Sequence, residues 1–394
     1  MGAKLARLGT LAMGKEASGS PGTYVAPTIG LPYTGNSTFE DVIAQLRDES
    51  VRADDSVLHG SYQGPASSDW SIDLMAYPDL APVFFVATIG PDTVTAGTTT
   101  TLSAATTVGA TAIETPVSLA AGTLVRLDTA GLQEYAITDG AATGTGPYTS
   151  NVTTVAGQIG VNRVGLAYAH ASAAAVATPT IHTFKQNPAV ALPTWSLTYY
   201  DTVETVSCSY VRFSELGIKI DPKAAVSLSV KATGFPSVPQ SAATGAYTTY
   251  DPWLGWSWAQ TIGGAASSRG LTYDATLKRA TEAIAGSDGT QAPREVFSGA
   301  LEYDGTLKAI YDATTDFGLF QANTQLPLSM TLQQPISRGG QSVALTGSKA
   351  AVFKGKRDLS GSYSTADFSV SGVANTTDGG VVQAVVANWQ TTAY

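Results

Sequence analysis

Residues 193–236 constrain the fold most, because apolar and polar side chains alternate along this segment. Val226, Leu228 and Val230 occupy every second position near its end. A period of two places one row of side chains in a core and the other in water, as in a half-buried strand. Residues 221–223 (Asp-Pro-Lys) predict a turn, because proline fixes φ and cannot donate to a ladder. We therefore expect a strand, a hairpin and a further strand within a large sheet.

The composition also favours β structure. Charged residues make up 13% of the 394-residue chain, whereas a share of about 25% is usual. The chain has 40 Gly and 19 Pro, together with frequent Thr, Val and Tyr, which are residues of strands and turns. So few charges indicate a surface that is covered by other copies of the chain or is rich in Thr, Ser and Gly. We predict a mainly β protein.

The net charge of −9 argues against tight binding to nucleic acid, which needs clusters of Lys and Arg. It is compatible with a surface along which DNA slides without being held. The chain has 1 cysteine, Cys208, which allows no internal disulfide and no multi-cysteine metal site. Since Cys208 lies in an alternating strand, we expect its thiol to be buried.

No apolar segment of the sequence predicts a membrane protein. The N-terminal segment lacks the apolar core and cleavage site of a signal peptide, and no apolar run is long enough to span a bilayer. We therefore expect a soluble protein without a membrane partner. Residues 4–15 fit either a first strand or a short helix, and residues 16–38 fit an extended arm.

An acidic segment, STFEDVIAQLRDESVRADDSV, begins at Ser37 and has no clear period. We predict an exposed loop here, which is either a solvated face or a latch between subunits. Its charged candidates are Arg47, Asp48, Glu49, Arg52, Asp54 and Asp55.

Two units of strand followed by helix occur in the chain. The first, SDWSIDLMAYPDLAPVFFVATIG, has Asp79 as a candidate N-cap and Gly90 as a stop, around a helix that is apolar on all sides. The second, EVFSGALEYDGTLKAIYDATTDFG, has Asp304 as a candidate N-cap and Gly318 as a stop. Each unit is followed by a Pro-marked strand and then by alternating strands (206–234 and 343–372). This order predicts a duplicated architecture, with halves of about 150 residues each.

The composition changes at residues 91–179, which are dominated by Ala, Thr, Gly and Val. We predict a small all-β module inserted in the first half, so that residues 1–90 and 180–240 form the first domain and residues 250–394 the second. Its short strands are expected at 111–117, 122–128, 132–138, 148–154 and 160–166. His170 and His182 lie near its end without partners at ligand spacing, so no metal site is predicted.

Trp253, Trp256 and Trp258 form a cluster after the first half. Closely spaced tryptophans are typical of a strand whose bulky side chains pack between layers or subunits. An aromatic platform for sugars is the alternative interpretation.

The chain resembles the tail tube proteins of long-tailed bacteriophages (siphoviruses). The resemblance rests on the start LGTLAMGKEASGSPGTYVAPTIGLPYTG, on LRDESVRADDS and on the two strand–helix units. It also rests on WSLTYYD, YVRFSELGIKI and AVSLSVKATGF, and it covers most of residues 1–90 and 190–390. The inserted module looks like small β modules that decorate phage structural proteins, and it departs from the simpler family pattern, as does the duplication.

The resemblance implies a duplicated β-sandwich-like, barrel-forming tube domain with a short helix in each half. It implies a virion structural protein, assembled in the host bacterial cytoplasm, whose rings stack into a hollow tube through which double-stranded DNA passes. Homotrimeric rings with pseudo-sixfold symmetry, or homohexameric rings, are both compatible with it. The implied partners are further copies of the chain and other tail proteins: the tail terminator, the tape measure and the baseplate or tip.

The same resemblance assigns roles to surfaces. Lumen-facing residues are expected in the hairpin strands 206–231 and 343–371, the acidic segment 40–55 and the N-terminal arm are expected to contact stacked rings, and the inserted module is expected outside the tube. The candidate lumen residues are Ser207, Ser209, Ser227, Ser229, Lys231, Ser360 and Ser362.

Other classes of protein are less well supported by the sequence. No hydrolase, zinc-protease or nucleotide-binding motif occurs in a fitting context, and the three histidines are scattered. We therefore expect neither an enzyme nor a bound cofactor. The alternatives that stay open are a carbohydrate-binding or adhesin-like β protein, and another virion component such as a tail terminator or a sheath-like protein.

Overall fold

The protein is mainly β. The computed structural model describes residues 5–53, 55–153, 165–312 and 315–394. Two α-helices lie among the described residues: α1 (Ala81–Thr88) and α2 (Thr315–Gln321). No described helix has the length and apolar character needed to cross a membrane. The strands are β1 (Thr10–Lys15), β2 (Ile29–Leu31), β3 (Thr38–Asp48), β4 (Gly60–Met75), β5 (Asp92–Thr95), β6 (Thr99–Thr101), β7 (Ala112–Thr115), β8 (Leu124–Leu127), β9 (Glu134–Thr143), β10 (Tyr148–Thr153), β11 (Ala175–Ala177), β12 (Thr180–Phe184), β13 (Trp195–Tyr200), β14 (Thr205–Ile220), β15 (Ser227–Gly234), β16 (Val238–Pro239), β17 (Trp258–Ile262), β18 (Ala265–Ser267), β19 (Gly270–Ala285), β20 (Pro293–Ile310), β21 (Leu326–Gln333), β22 (Ser342–Asp358), β23 (Thr365–Gly372) and β24 (Gln383–Asn388).

A continuous antiparallel series of strands, here called the main ladder, runs β3-β4-β15-β14-β19-β20-β23-β22. Along the inner strands of the ladder buried and open positions alternate over most of their length, as in β15, where Leu228 and Val230 are buried and Ser227 is exposed. One face of the ladder therefore builds the core and the other faces solvent. The predicted alternation and the turn before β15 are confirmed.

Two long strands each change partners halfway along their length. The first part of β14 pairs with β13, and its second part pairs with β15 and β19. In the same way the first part of β22 pairs with β21 and β24, and its last part pairs with β23. Since β13 also pairs with β1, and β24 with β12, these strands join the main ladder to the rest of the large sheet.

Helix α1 packs inside the fold, because every one of its residues is buried. Phe84 lies edge-on to Phe213 of β14, with ring centroids 5.6 Å apart. The predicted helix is confirmed, but Asp79 is not its cap. The residue before the helix is Leu80, and no side chain caps the helix there; Asp79 instead accepts a hydrogen bond from Thr248 Oγ1 at 2.8 Å.

In the second predicted strand–helix unit, the predicted boundary between the strand and the helix is wrong. Residues 304–310 continue strand β20, and the helix begins only at Thr315. Leu307 fits both a helical stripe and the period of two set by Leu301 and Tyr303. The strand forms because β19 and β23 pair with this segment from both sides, so that backbone groups on both edges are satisfied.

Residues 99–177 contain a separate sheet in the order β6-β11-β8-β9-β10-β7. It has its own apolar cluster, which includes Ile113, Val125 and Val176. Of its predicted strands, residue 154 and residues 160–164 lie outside the described residues. Residues 92–95, which the predicted module includes, belong instead to the large sheet, because β5 pairs with β12.

A buried carboxylate holds the start of the N-terminal arm against the large sheet. Glu16 directly follows β1 and is 4% exposed. Its Oε1 accepts hydrogen bonds from Ser196 Oγ at 2.9 Å and from the Tyr210 amide at 2.8 Å. Its Oε2 accepts hydrogen bonds from Thr194 Oγ1 at 2.6 Å and from the Gly22 amide at 2.7 Å. One side chain therefore ties the arm to β13 and β14.

Candidate assembly surface

The first end of the main ladder is the outer edge of β3. The acidic segment predicted as a loop is a strand over residues 38–48, so that prediction is wrong for this part. It folds as a strand because β4 offers a partner for nearly its whole length. Within the described residues, β3 pairs with β4 alone. A long edge strand with unpaired N–H and C=O groups is a template for pairing with another chain.

The side chains of β3 are unusually open for a strand of this length. Val42 and Ile43 are each 40% exposed, and Leu46 is 54% exposed. Glu40 and Asp41 are also exposed, although Asp41 accepts a hydrogen bond from the Ser237 amide at 3.0 Å. Acidic groups and uncovered apolar side chains therefore share this edge.

The candidate stacking residues lie around the tip of the β3–β4 hairpin. Arg47 and Glu49 are paired at 3.5 Å, with both side chains more than half exposed. Arg52 pairs with Asp48, and hydrogen bonds from Ser50 lower the pKa of the Asp48 carboxyl. Such exposed pairs contribute little to folding. Asp55 is also exposed, and Asp54 lies outside the described residues.

The other end of the main ladder is the last part of β22. Residues 351–358 pair with β23 on one side, whereas the pairing with β21 ends at Ala350. In the described chain no strand occupies the edge beyond Ala350. Lys354, Lys356 and Arg357 are exposed there. This end is therefore cationic, and the sequence analysis missed it, although the run KGKR was its signal.

Helix α2 supports this edge from the core side. The guanidinium of Arg357 lies 4.3 Å from the ring centre of Phe317 and 5.1 Å from that of Tyr311. A Cβ on Gly355 would lie 3.1 Å from the Phe317 ring, so the strand and the helix are in close contact. The aromatic contacts hold the stem of Arg357 against the fold while its neighbours Lys354 and Lys356 stay in solvent.

Between the two ends lies the solvent face of the main ladder. Of the predicted lumen residues, Ser227 and Lys231 are exposed on this face and Ser229 is half-buried. Lys231 Nζ lies 3.2 Å from Glu215 on the neighbouring strand. Charges of both signs occur across the face, although Glu40 lies directly opposite Asp69. The charged members of the face are Glu40, Asp69, Asp73, Glu215, Lys219, Lys231, Asp274, Lys278, Glu302, Asp304, Lys308, Lys354, Lys356, Asp358 and Asp367.

The remaining predicted lumen residues are not brought together. Ser207 is 1% exposed and Ser209 is half-buried, because both lie in the first part of β14 under β13 and β16. Ser207 therefore lies inside the chain and off the solvent face. Ser360 and Ser362 are exposed in the turn after β22, where Ser360 Oγ donates to Asp358 Oδ1 at 2.6 Å.

The three clustered tryptophans do not form a shared platform. Trp253 is 1% exposed and its indole N–H donates to the Gln341 carbonyl at 3.0 Å. Trp258 is half-buried, with its Nε1 3.2 Å from Met330 Sδ, and Trp256 is 40% exposed. The packing interpretation is confirmed for Trp253, which lies in the main core.

The two histidines near the inserted sheet both contact carboxylates. His170 lies 3.0 Å from Asp128 and 2.7 Å from Glu134, and the hydrogen bond with His170 lowers the pKa of Asp128. His182 lies 2.7 Å from Asp92, with its Nε2 donating to a backbone carbonyl. Across the described residues, no group of His, Cys, Asp and Glu is arranged to hold a metal ion.

Comparison with known proteins adds no relative. No protein-family model matches the chain, and a search of curated proteins finds no match. The interpretation of function therefore depends on the sequence patterns and on the geometry of the main ladder, its two unpaired ends and its solvent face.

Proposed function

We propose that this chain is a virion structural protein that polymerises into stacked rings, forming the hollow tail tube of a long-tailed bacteriophage. In this proposal the chain carries two tube domains in tandem and DNA passes through the lumen. The observation that carries the proposal is the main ladder itself. It consists of two matching sets of strands joined edge to edge, and it is open at both ends.

The pairing of strands is the same in the two sets. In the first, β4 pairs with β3 and β15, and β14 pairs with β13, β15 and β16. In the second, β20 pairs with β19 and β23, and β22 pairs with β21, β23 and β24. The helices also correspond, because α1 follows β4 and α2 follows β20. This correspondence supports two domains of one kind.

One irregularity in the long hairpin of each set corresponds as well, whereas two further register shifts of the β19–β20 ladder have no counterpart in the β3–β4 ladder. The β3–β4 ladder shifts register at Ala44, which lies beside Gly64, and the β19–β20 ladder shifts at Ala280, which lies beside Gly299. Bulges are retained features of related sheets rather than random defects. The same alanine–glycine pair at the same point in each set therefore supports a common origin of the two halves.

The junction between the sets supports assembly into a closed sheet. Within the chain, the second part of β14 pairs with β19, so each set already covers one edge of the other. Two further edges, on β3 and β22, are left for other copies. Closing a sheet into a barrel removes such edges altogether, which gives a physical reason for ring formation.

We propose that the solvent face of the main ladder lines the lumen. Ser, Thr and charges of both signs occur along it, with Lys231 paired to Glu215. Cations that are neutralised by neighbouring acids form no extended positive patch for phosphates. Such a wall would let DNA pass without holding it.

Negative-stain electron microscopy of the purified chain at high concentration tests the proposal. We expect hollow tubes or stacked rings of constant diameter, in which end views distinguish three chains per ring from six. Discrete small oligomers that bind glycans on an array would contradict the proposal and favour the carbohydrate-binding alternative.

The lumen assignment has its own test. Replacing Ser227 and Ser229 with arginine adds two positive charges to the solvent face. Among the described residues, Asp73 is the one acidic residue directly opposite these positions, so we expect slower DNA release from otherwise normal particles. The matched control replaces Ser118 and Thr392 with arginine, because both are exposed and lie outside the main ladder. Unchanged release kinetics in the Ser227/Ser229 variant would refute the assignment of this face.

A further inference from the structure

We infer that β3 of one copy pairs antiparallel with residues 354–359 of a second copy, head to tail, in a register that the chain itself specifies. The inference rests on the proposed function only in taking the partner to be another copy of this chain. Its geometry comes from the junction between β14 and β19, which we treat as the template for the contact between chains.

The template junction is an antiparallel pairing of two edges. Leu216 of β14 lies opposite Leu277 of β19, and both are fully buried. On the solvent side Glu215 lies opposite Lys278. At the far end of the same junction, Lys219 and Asp274 are also directly opposed. Opposite charges therefore face each other at both ends of the junction, which favours this register.

The equivalent positions of the bulges predict the same register for the two unpaired edges. The β14–β15 hairpin is irregular at Ser214, and the β22–β23 hairpin is irregular at Phe353. Aligning these two residues makes Lys356 the counterpart of Gly217. Aligning Ala44 with Ala280 makes Glu40 the counterpart of Thr276, which is the partner of Gly217.

The transferred register opposes unlike charges. Lys356 of one copy falls directly opposite Glu40 of the next, and Gly355 falls opposite Asp41. Lys354 falls opposite Val42, diagonal to Glu40 and within reach of its carboxylate. None of these groups was used to choose the register, so their complementarity is an independent observation.

The same charges disfavour the symmetric alternatives. A two-fold contact between two β3 edges that is centred on Glu40 and Asp41 would bring these acids of both copies together. A two-fold contact between two β22 edges would do the same for Lys354, Lys356 and Arg357. Like charges across a strand pair are destabilising, whereas a head-to-tail contact pairs acidic with basic edges and can close into a ring.

The edges also bring uncovered apolar groups to the contact. Val42 is 40% exposed, Phe353 is 58% exposed and Leu359 is 71% exposed. These side chains lie on or beside the paired segments, so the contact would remove apolar area from water. Single exposed apolar residues are common, but here they coincide with two unpaired edges of opposite charge.

Disulfide cross-linking of the full-length chain tests the register. Glu40→Cys and Lys356→Cys in one chain place two thiols directly opposite each other, within the range that a disulfide spans. Under mild oxidation we expect a ladder of dimers, trimers and higher species on non-reducing gels. The native Cys208 is buried and does not interfere.

A matched control uses Glu40→Cys with Lys308→Cys. Lys308 lies in the same row of the solvent face, since Asp367 pairs with both Lys308 and Lys356. It is two strands inside the edge, hence about 14 Å from the partner's thiol. We expect cross-linking at least about tenfold slower for this pair, because a disulfide does not span that distance.

The outcomes separate the inference from the proposed function. A series of cross-linked species that is specific to the Glu40/Lys356 pair supports the inference even if no tubes form; the proposed function then fails while the inference stands. Tubes without these cross-linked species overturn the inference and leave the proposed function intact. Dimers from Glu40→Cys alone indicate a two-fold contact and also overturn it, as does the absence of any specific cross-link.

Charge reversal gives a second readout without cysteines. Lys356→Glu places two acids opposite each other, and we expect it to weaken association about tenfold. Glu40→Lys in the same chain restores the opposite pairing, so the double variant should regain association. Rescue distinguishes a direct contact from loss of folding, and a double variant as weak as the single one would contradict the register.

Discussion

Replacing Glu16 with alanine tests how strongly one buried carboxylate supports the sheet that carries the assembly edges. The variant removes the acceptor for the hydroxyls of Thr194 and Ser196 and for the amides of Gly22 and Tyr210. Hydroxyl groups can rotate toward other acceptors. The two backbone amides are fixed by the fold and lose their partner.

The expected loss follows from these contacts. A buried donor that is left without an acceptor destabilises by about 1–3 kcal/mol, and Glu16→Ala leaves two such amides. We therefore expect Glu16→Ala to lower the free energy of unfolding by about 3–5 kcal/mol. Glu16→Gln keeps one carbonyl oxygen but turns an NH₂ group toward one amide, so we expect a loss of about 2 kcal/mol.

The assay is urea unfolding of dilute, unassembled protein, followed by tryptophan fluorescence. Trp195 is 1% exposed and precedes Ser196, so its environment changes when β13 separates from the arm. We expect the midpoint to fall by about 1 M or more for Glu16→Ala. The order of stability should be the native chain, then the Gln variant, then the Ala variant.

Glu282→Ala is the matched control, since Glu282 is exposed on β19. Surface substitutions of this kind change stability by less than about 0.5 kcal/mol. An Ala variant at position 16 within about 1 kcal/mol of the native chain would refute the argument that this network is satisfied only by a carboxylate. If Glu16→Ala and Glu16→Gln lower the free energy of unfolding equally, the negative charge of Glu16 rather than its hydrogen bonds is responsible for the stabilisation.

Three further predictions concern the core and the inserted sheet. Burial raises the pKa of Tyr303 to about 12, and the Tyr303 hydroxyl forms a hydrogen bond with the hydroxyl of the buried Tyr273. The stability that the protonated hydroxyl contributes is full below about pH 10 and is lost as the pH rises toward 12. The double variant Tyr273→Phe/Tyr303→Phe should therefore unfold at higher pH in an alkaline titration followed by circular dichroism. Burial raises the pKa of the Cys208 thiol to about 12, so Ellman's reagent should label it only after denaturation, and rapid native labelling would contradict its burial. Replacing residues 99–177 with a short Gly-Ser linker should leave the large sheet folded and the association between copies intact, because Thr98 and Thr178 are hydrogen-bonded neighbours. Aggregation of this deletion variant would count against the prediction.

Strand periodicity was the part of the fold most open to prediction. The alternation in 193–236 predicts β14 and β15 together with their turn and their buried face, because each strand has one wet side and one packed side. The burial of Cys208 followed from the same alternation. The helix at residues 81–88 was also predictable, since an apolar run before Gly90 has to be buried.

The errors arose where a segment's partners decide its structure. Residues 304–310 satisfy a helical stripe and a strand period equally well, and only pairing with β19 and β23 selects the strand. Residues 38–48 have no clear alternation, because β3 is open on both faces over most of its length. Pattern analysis cannot detect a strand whose side chains are not sorted by burial.

By itself, the sequence determined that this chain is mainly β, where several of its long strands lie and, for β15, which side of the strand is buried. It did so because the period of side-chain burial is local. Only the tertiary structure decided which edges are left open, that β14 joins one set of strands to the other, and that an acidic edge and a cationic edge end the same ladder. Edge and register depend on hydrogen bonds between segments far apart in the chain, and no local pattern contains them.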